Sequence, residues 1–562
     1  LAFVIAQVMA APAAFATSAG SAQQIAASPA RPSPSPTPVP CPSPSVGPGV
    51  PTLDDASANS TATAAPCLKT IAKVVTVGRK ADLIGIANAA SEGTISQEEI
   101  ETRPVLRPGE VLEAIPGLVI SQHSGEGKAN QYYLRGFQLD HGTDLESTID
   151  GIPINMPSHA HGQGYSDINW LMPELVSYVE FKKGTYYADQ GDFSTAGAYN
   201  LYFRDTIPTV TSFGVGDYGY DRLFTAGSPA VGNGHLLYAL EIYHDNGTFV
   251  MPDEYHKVNG LLRYSDIRGP NAFTVTGYAY NGAFDSTDQI PQRLVDAGEL
   301  SPYGFIDPTD GGNTYRYALS AQYQHHAPNG DTKIAVYGEE YFLDLFSNFT
   351  YYQFDGNDYY NTVSNPITCK AVYTTCTPNV AGPNSLRAPN YTTYCPANQM
   401  ANPNGPAHSV VPLPFTFSCP DQREQQDKRF IGGGSVKRTF TTPGSTSEIG
   451  VGVRNDNIST LGLYLTDARN RYPDGTLSND HVVERDSFVY LQSDLRSGKF
   501  RVQPGLRGDL YAFDVAAFDP ANSGRTIDAQ INPKITTAYA FTKNFEAYVD
   551  FGESFHSNDA RS

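Results

Sequence analysis

The chain has 562 residues, of which 17% are charged and 11% aromatic, with 51 Gly, 35 Tyr and one Trp. That length suits several domains or one large β-barrel with an accessory domain. A formal net charge of −20 repels phosphate backbones and excludes nucleic acid as a partner; it serves either solubility or the local concentration of cations and cationic complexes. There is no G-x-S-x-G elbow, H-E-x-x-H helix, Walker loop or G-x-G-x-x-G after a strand, so neither an enzyme nor a resident cofactor is expected.

Residues 1–16 are apolar and end in Ala14-Phe15-Ala16, which reads as the remnant of a secretory signal. No later stretch has some 18 consecutive apolar residues, so a spanning helix is not expected. An exported chain of this kind crosses a membrane only as a closed barrel, because lipid leaves open backbone groups unsatisfied. Residues 17–78 form a Pro- and Ser-rich tether that cannot bury a core; it contains Cys41 and Cys67, and ends in a short β-prone run, Ile71 to Val77. Ser96-Gln97-Glu98-Glu99 predicts a capped helix start. Glu110 to Ile115 predicts a second short helix, halted by Pro116-Gly117. Strands are predicted at 118–122, 131–135, 147–149 and 176–182. Together these make a small α+β domain over residues 79–205.

Over residues 206–562 the pattern is strands only. Leu236, Tyr238, Leu240 and Ile242 oppose Glu241 and Tyr243. Phe273, Val275 and Ala279 oppose Thr274, Thr276, Tyr278 and Tyr280, and Ala547, Val549 and Phe551 oppose Glu546, Tyr548 and Asp550. A period of two with one apolar face suits a barrel between lipid and water, though a soluble sandwich shows it too. About 13 strands are predicted. Links after even strands are short, such as Pro328-Asn329-Gly330 and Pro443-Gly444, whereas four after odd strands are long: 246–256, 282–313, 346–426 and 455–483. Such sorting is the habit of outer-membrane barrels. Six cysteines fit an oxidising compartment. Cys369, Cys376, Cys395 and Cys419 lie in one polar stretch and are expected to form two loop-stapling disulfides of open pairing, a metal site being the weaker reading.

Arg107-Pro108-Gly109-Glu110-Val111-Leu112-Glu113-Ala114-Ile115-Pro116-Gly117-Leu118 resembles the opening of the plug domain of TonB-dependent outer-membrane receptors. Tyr133-Leu134-Arg135-Gly136-Phe137, Ile149-Asp150-Gly151-Ile152-Pro153 and Val179-Glu180-Phe181-Lys182-Lys183-Gly184 are similar to that family's "IRGF", "DGVP" and "VEVLKG" segments, in the same order. The resemblance covers about residues 70–562. It implies an all-β transmembrane barrel of the 22-stranded family fold, present here as a partial barrel over 206–562, with an N-terminal α+β plug in its lumen. About 13 strands against 22 leads to the expectation of a piece truncated at both ends. The resemblance further implies a bacterial outer-membrane location in contact with lipid, and energy drawn from TonB with the ExbB–ExbD inner-membrane motor. Lys73, Val74, Val75, Thr76 and Val77 match the TonB box that adds a strand to TonB; the same run also reads as the plug's own first strand. Arg135 is expected to pair with a barrel-wall carboxylate, or else within the plug.

Met156-Pro157-Ser158-His159-Ala160-His161-Gly162-Gln163-Gly164-Tyr165 follows the "DGVP"-like turn, where family plugs send loops outward, and His123 and His141 occupy comparable positions. His and Met suit transition metals and haem iron. The expected ligand is therefore a metal ion or metal chelate (siderophore, haem or other complex), with His123, His141, Met156, His159, His161 and Tyr165 near it and His159 and His161 on the metal. The bland alternative is that these groups hydrogen-bond within the plug or to the barrel wall. Tyr132, Tyr133 and Tyr165 line the same vestibule or merely pack. Active uptake of a scarce nutrient is the leading function. A passive porin or adhesin-like barrel is the alternative, and the Pro-rich 17–68 segment cannot supply the folded domain a signalling receptor needs.

Overall fold

The computed structural model describes residues 92–122, 125–290, 292–298, 300–305, 307–348 and 422–561. The signal remnant, the tether, Lys73 to Val77, His123 and all six cysteines lie outside the described residues.

The first domain opens with β1 (Glu92–Ser96) and α1 (Gln97–Glu101). Ser96 caps α1, its hydroxyl accepting from the Glu99 N–H at 3.3 Å, which satisfies one of the orphan donors of a helix start. The short helix expected at Glu110 to Ile115 is present as a 3-10 helix over Pro108–Ala114; prolines at both ends leave too little chain for a stable α-helix. There follow β2 (Leu118–Ser121), β3 (Gln131–Leu134), β4 (Phe137–Gln138), β5 (Leu145–Ile149), β6 (Ile152–Pro153), β7 (Val176–Lys183) and β8 (Gly197–Phe203). One sheet runs β1-β7-β8-β5-β6, with β5 and β8 parallel; a smaller one runs β2-β3-β4. Two of the family-like motifs prove to be two-residue hairpin turns. Arg135-Gly136 joins β3 to β4 with φ of 53° and 83°, and Asp150-Gly151 joins β5 to β6 with φ of 53° and 82°. Two successive left-handed residues make the primed turn that matches strand twist, and glycine takes the second place without strain.

The remaining strands form one antiparallel ladder: β9 (Val210–Val215), β10 (Asp221–Gly227), β11 (Ala230–Val231), β12 (Gly234–Asp245), β13 (Tyr255–Arg268), β14 (Asn271–Asp285), β15 (Gly311–Ala327), β16 (Gly330–Ser347), β17 (Gln422–Thr442), β18 (Ser445–Asp467), β19 (Asn470–Ser497), β20 (Phe500–Ala516), β21 (Gly524–Thr542) and β22 (Phe545–Gly552). β11 pairs only with β12, and each other strand pairs with its chain neighbour, leaving β9 and β22 as the two ends of a partial barrel. The expected alternation is present. Along β13, Tyr255, Lys257, Asn259, Leu261 and Arg263 are buried, while Val258 and Leu262 are exposed on the other face. Outward Ile242, Phe273, Val453, Val549 and Phe551 are likewise exposed, and inward Glu241, Thr276 and Tyr280 are buried. This inversion, charged inside and apolar outside, is the signature of a wall with lipid behind it. Among the described residues no helix is long and apolar enough to cross a membrane, which says nothing of strands.

The short links gather at one end of the ladder and the long ones at the other, with one correction. The expected long link 455–483 is no loop. β18 and β19 stay paired out to Asp467↔Asn470, and only Ala468-Arg469 turns, both left-handed. A strand of 28 residues reaches on the order of 90 Å, while roughly 10 residues cross the bilayer. Much of this hairpin therefore stands clear of lipid, where nothing imposes an apolar face.

The first domain sits in the concavity of this wall. Its core, including Ile168, Trp170, Leu171 and Leu201, continues without a break into inward Phe224, Leu237, Leu261 and Tyr280, with Trp170 stacked on Tyr278 at 4.6 Å. It is bonded by side chains of strands from β10 round to β21.

Candidate functional site

The loop from Met156 to Tyr165 is closed at its base by an antiparallel bridge, Met156 N–H to the Tyr165 carbonyl at 3.0 Å, and by Gly164 N–H to the Pro157 carbonyl at 3.1 Å. Its tip reaches the long-link end of the lumen and meets β16, β17 and β19 there. Ser158 Oγ donates to Glu484, and its carbonyl accepts from Arg429. Ala160 N–H donates to Asp427 Oδ2 at 3.2 Å. Arg429 is itself held by Asp427 at 2.6 Å and Asp456 at 3.2 Å, all three fully buried or nearly so. Buried charges are tolerable only when paired in this way.

Three histidines surround one tyrosine. His159 stacks on Tyr165 at 4.0 Å between centroids, and His141 and His161 lie 5.6 and 5.8 Å from that ring. Both ring nitrogens of His159 are taken inside the protein. Nδ1 accepts from the His161 N–H at 3.1 Å, which leaves the proton on Nε2, 3.2 Å from the Tyr341 hydroxyl and 3.8 Å from Asp427. His161 Nδ1 lies 2.7 Å from Gln425 Oε1, and His141 Nδ1 lies 3.1 Å from the Asn130 carbonyl. The two Nε2 atoms of His141 and His161 face each other at 3.1 Å. Burial pushes the imidazolium pKa of His159 well below its ordinary value, with Arg429 adding to it; burial and then His141 do the same to His161. Both rings are neutral near pH 7.

The structure thus brings together His141, His159, His161 and Tyr165, and redistributes the roles expected of them. With both His159 nitrogens engaged inside the protein, the expected contact of His159 and His161 with a metal would require His159 to give up one of these bonds. Met156 is fully buried in an apolar cluster with Tyr341, Leu343 and Ile431 and packs rather than presenting its sulfur. Tyr165 is buried too, its hydroxyl accepting from Ala129 N–H at 3.1 Å. Tyr132 is buried and bonds the Ser166 carbonyl, while Tyr133 bonds Gln131. Among the described residues no set of three or more His, Cys, Asp or Glu side chains forms a metal cage.

The expected tie between Arg135 and the wall is also corrected. Arg135 is exposed and, among the described residues, makes no ion pair to the wall, because its left-handed place in the β3–β4 turn aims it outward. The ties run with the opposite polarity. Wall Arg263 holds Asp150 of the β5–β6 turn at 2.7 Å and Asp205 at 3.0 Å; wall Arg222 holds Glu174 at 2.7 Å. One tie of the expected sense exists elsewhere, from Lys128 to Asp288 at 2.9 Å, both almost fully buried. Spacing carried the signal for these wall groups: Asp427 and Arg429, or Lys257, Asn259 and Arg263, fall on the inward parity of their strands.

Residues 86–198 match the TonB-dependent Receptor Plug Domain, and residues 382–561 match the TonB dependent receptor-like β-barrel. The vitamin B12 transporter BtuB of Vibrio vulnificus is 24% identical over 281 residues, 49% of this chain and 42% of that protein, so the chain spans under half the length of this relative. Among solved structures, the unliganded ferric citrate transporter FecA is similar at a TM-score of 0.59 and 14% identity, covering 83% of this chain and 63% of that one. The siderophore receptor PiuA from Acinetobacter baumannii gives 0.58 and 14%, covering 84% and 65%. The copper transporter OprC gives 0.56 and 13%, covering 83% and 63%. With a plug inside a partial barrel and both of its family's domains in the expected order, the chain belongs to the TonB-dependent receptors.

Proposed function

We propose that this chain serves active uptake of a scarce nutrient, a metal ion or metal complex, across a bacterial outer membrane, with TonB and the ExbB–ExbD motor supplying the energy. The observation that carries this is the plug bonded to the inner wall from β10 to β21. A passive porin needs an open aqueous lumen, whereas a lumen filled by a domain held through buried ion pairs passes cargo only when something does work on that domain. The relatives transport vitamin B12, ferric citrate and copper by their names, and a metal-centred cargo is common to these. The cargo is met at the long-link end by His141 and His161, braced by His159 and Tyr165.

The coupling segment is Lys73 to Val77, which precedes the plug in the sequence and adds a strand to the edge of TonB. Deleting Ile71–Gly78 from the intact gene is expected to abolish growth on limiting nutrient while the barrel still inserts in the outer membrane. Transport that persists in this deletion refutes coupling through the segment and favours a passive barrel.

A further inference from the structure

We infer that cargo passes the plug along its seam with β19–β21, a transit site for hydrogen-bonding groups, and that residues 553–561 latch this seam shut; this deepens the uptake reading and rests on it.

The plug is not held alike on all sides. The apolar clusters that contain Trp170 and Met156 take their wall members from β10–β17. Plug residues 185–191 face β19–β21 instead, and there the ties are polar. Ala188 N–H donates to Gln492 Oε1 at 2.8 Å, while Arg507 Nη1 and Lys534 Nζ donate to the Asp189 and Thr185 carbonyls at 3.4 and 2.9 Å. Small residues let the two surfaces close: a Cβ on Gly505 would lie 2.9 Å from that of Ala188, and one on Gly191 would strike the Arg507 guanidinium. Three amides are shut in here. Asn532, Gln503 and Gln190 are 1%, 3% and 6% exposed, and neither Oδ1 nor Nδ2 of Asn532, nor Oε1 of either glutamine, has a hydrogen-bond partner. Asn532 lies across from Arg507, and Gln503 lies two residues before Gly505.

A buried polar atom without a partner raises the energy of the closed seam, and water or a polar ligand supplies what it lacks. Parting the apolar side would expose hydrocarbon to water, which is opposed. Work done on the plug therefore opens the β19–β21 side first, where the freed amides offer donors and acceptors to a hydrophilic cargo. Residues 553–561 leave the wall after Gly552 and cross the plug beside this seam. Thr185 Oγ1 donates to the Gly552 carbonyl at 2.8 Å, the Ser194 and Ser554 hydroxyls share a bond at 2.7 Å, and Phe193 N–H donates to the Phe555 carbonyl at 3.1 Å. Ser557 N–H and Oγ donate to the two oxygens of Asp192 at 2.6 Å each. Further along, Ala560 N–H donates to Ser158 Oγ at 2.7 Å and Arg561 Nη2 to the His159 carbonyl at 3.3 Å. The latch thus ties the seam to the histidine loop, so cargo that shifts Ser158 or His159 slackens it where passage begins.

The test uses the intact receptor in detergent, with urea raised to just below unfolding of the barrel. A small charged thiol reagent probes N532C on the seam and N259C on the apolar side, both replacing inward wall asparagines that are 1% exposed. Mass spectrometry of the labelled peptides separates these sites from the native cysteines, and circular dichroism melts confirm that each variant is folded. N532C should label about tenfold or more faster than N259C. The pair S194C/S554C replaces two hydroxyls in contact, and its disulfide should slow labelling of N532C about tenfold or more until reductant is added. In cells that disulfide should abolish growth on limiting nutrient, while S194C and S554C alone grow as wild type. Labelling of N259C as fast as N532C overturns the seam, and growth that persists with the disulfide formed overturns the latch. If N259C opens first while growth still depends on residues 71–78, the seam fails and the importer stands. If N532C opens first while growth ignores that segment, the importer fails and the seam stands as the plug's weak side.

Discussion

Arg263 is the wall residue on which plug docking depends most visibly. Its guanidinium reaches the Asp150 carboxylate at 2.7 Å and Asp205 at 3.0 Å, and bonds Thr276 at 2.8 Å. The side chains of Arg263 and Asp150 are 7% and 8% exposed, so water cannot replace either partner. Lys333 Nζ and Gln322 Nε2 bond the Asp150 carbonyl at 3.2 and 2.9 Å, so they steady the turn without neutralising its carboxylate directly. R263M keeps the apolar stem and strands a buried charge, which costs about 3–5 kcal/mol, or roughly two to four decades in the docking equilibrium. Removing both charges in R263M/D150N should recover most of that loss, because the penalty lies in the unpaired carboxylate. Hydrogen exchange of the 145–153 peptide in detergent measures the opening of this turn, and a double-mutant cycle isolates the pair. In R263M that peptide should exchange orders of magnitude faster, while the β18–β19 ladder stays protected. Exchange within about twofold of wild type, or a double variant as damaged as the sum of the singles, would refute the pairing as the plug's anchor.

Val453 faces outward and is 58% exposed; V453K should cost about 2–4 kcal/mol of barrel stability in lipid bilayers if it lies near the midplane, read from urea unfolding in vesicles, whereas a water-facing position would tolerate it. Asp253, on the 246–254 connection, supplies a pH dependence. Burial and then the Glu126 carboxylate push its pKa up to about 7. The folded state keeps a proton that the unfolded chain loses near pH 4. Stability is therefore fullest at low pH and falls as pH rises from about 4 through 7. Docking of this loop against plug residues 125–127 should be tighter at pH 5.5 than at pH 8 by hydrogen exchange corrected for intrinsic rates, and D253N should flatten the difference; a loop that tightens with rising pH contradicts the assignment.

The ladder was legible because lipid and water act on opposite faces of each strand, and all thirteen expected strands of the main ladder overlap observed ones. Legibility stopped where that asymmetry stops. Above the membrane the β18–β19 hairpin reads as loop, since Asn455, Asp456 and Asn457 carry no apolar alternation. In the plug, β8 was missed because it lies between β7 and β5 with both faces largely covered, so its side chains show no period of two. The histidine loop was visible as local composition, but its partners were not. His159 meets Tyr341 across 182 residues, His161 meets Gln425 across 264 and Ser158 meets Glu484 across 326. Roles that depend on such distant neighbours cannot be assigned from spacing: His159 proved fully engaged and His141, read as one of several, faces His161. Arg135 shows the same limit, since a primed turn decides its direction whatever its charge suggests.

Conductance across a planar bilayer asks directly whether the plug closes the pore. The intact receptor should show no steady ionic current, and removal of residues 92–203 with the barrel retained should open a large, weakly selective pore. Steady current through the intact receptor comparable with that of the plug deletion would show that the domain leaves the lumen open, and would contradict active import.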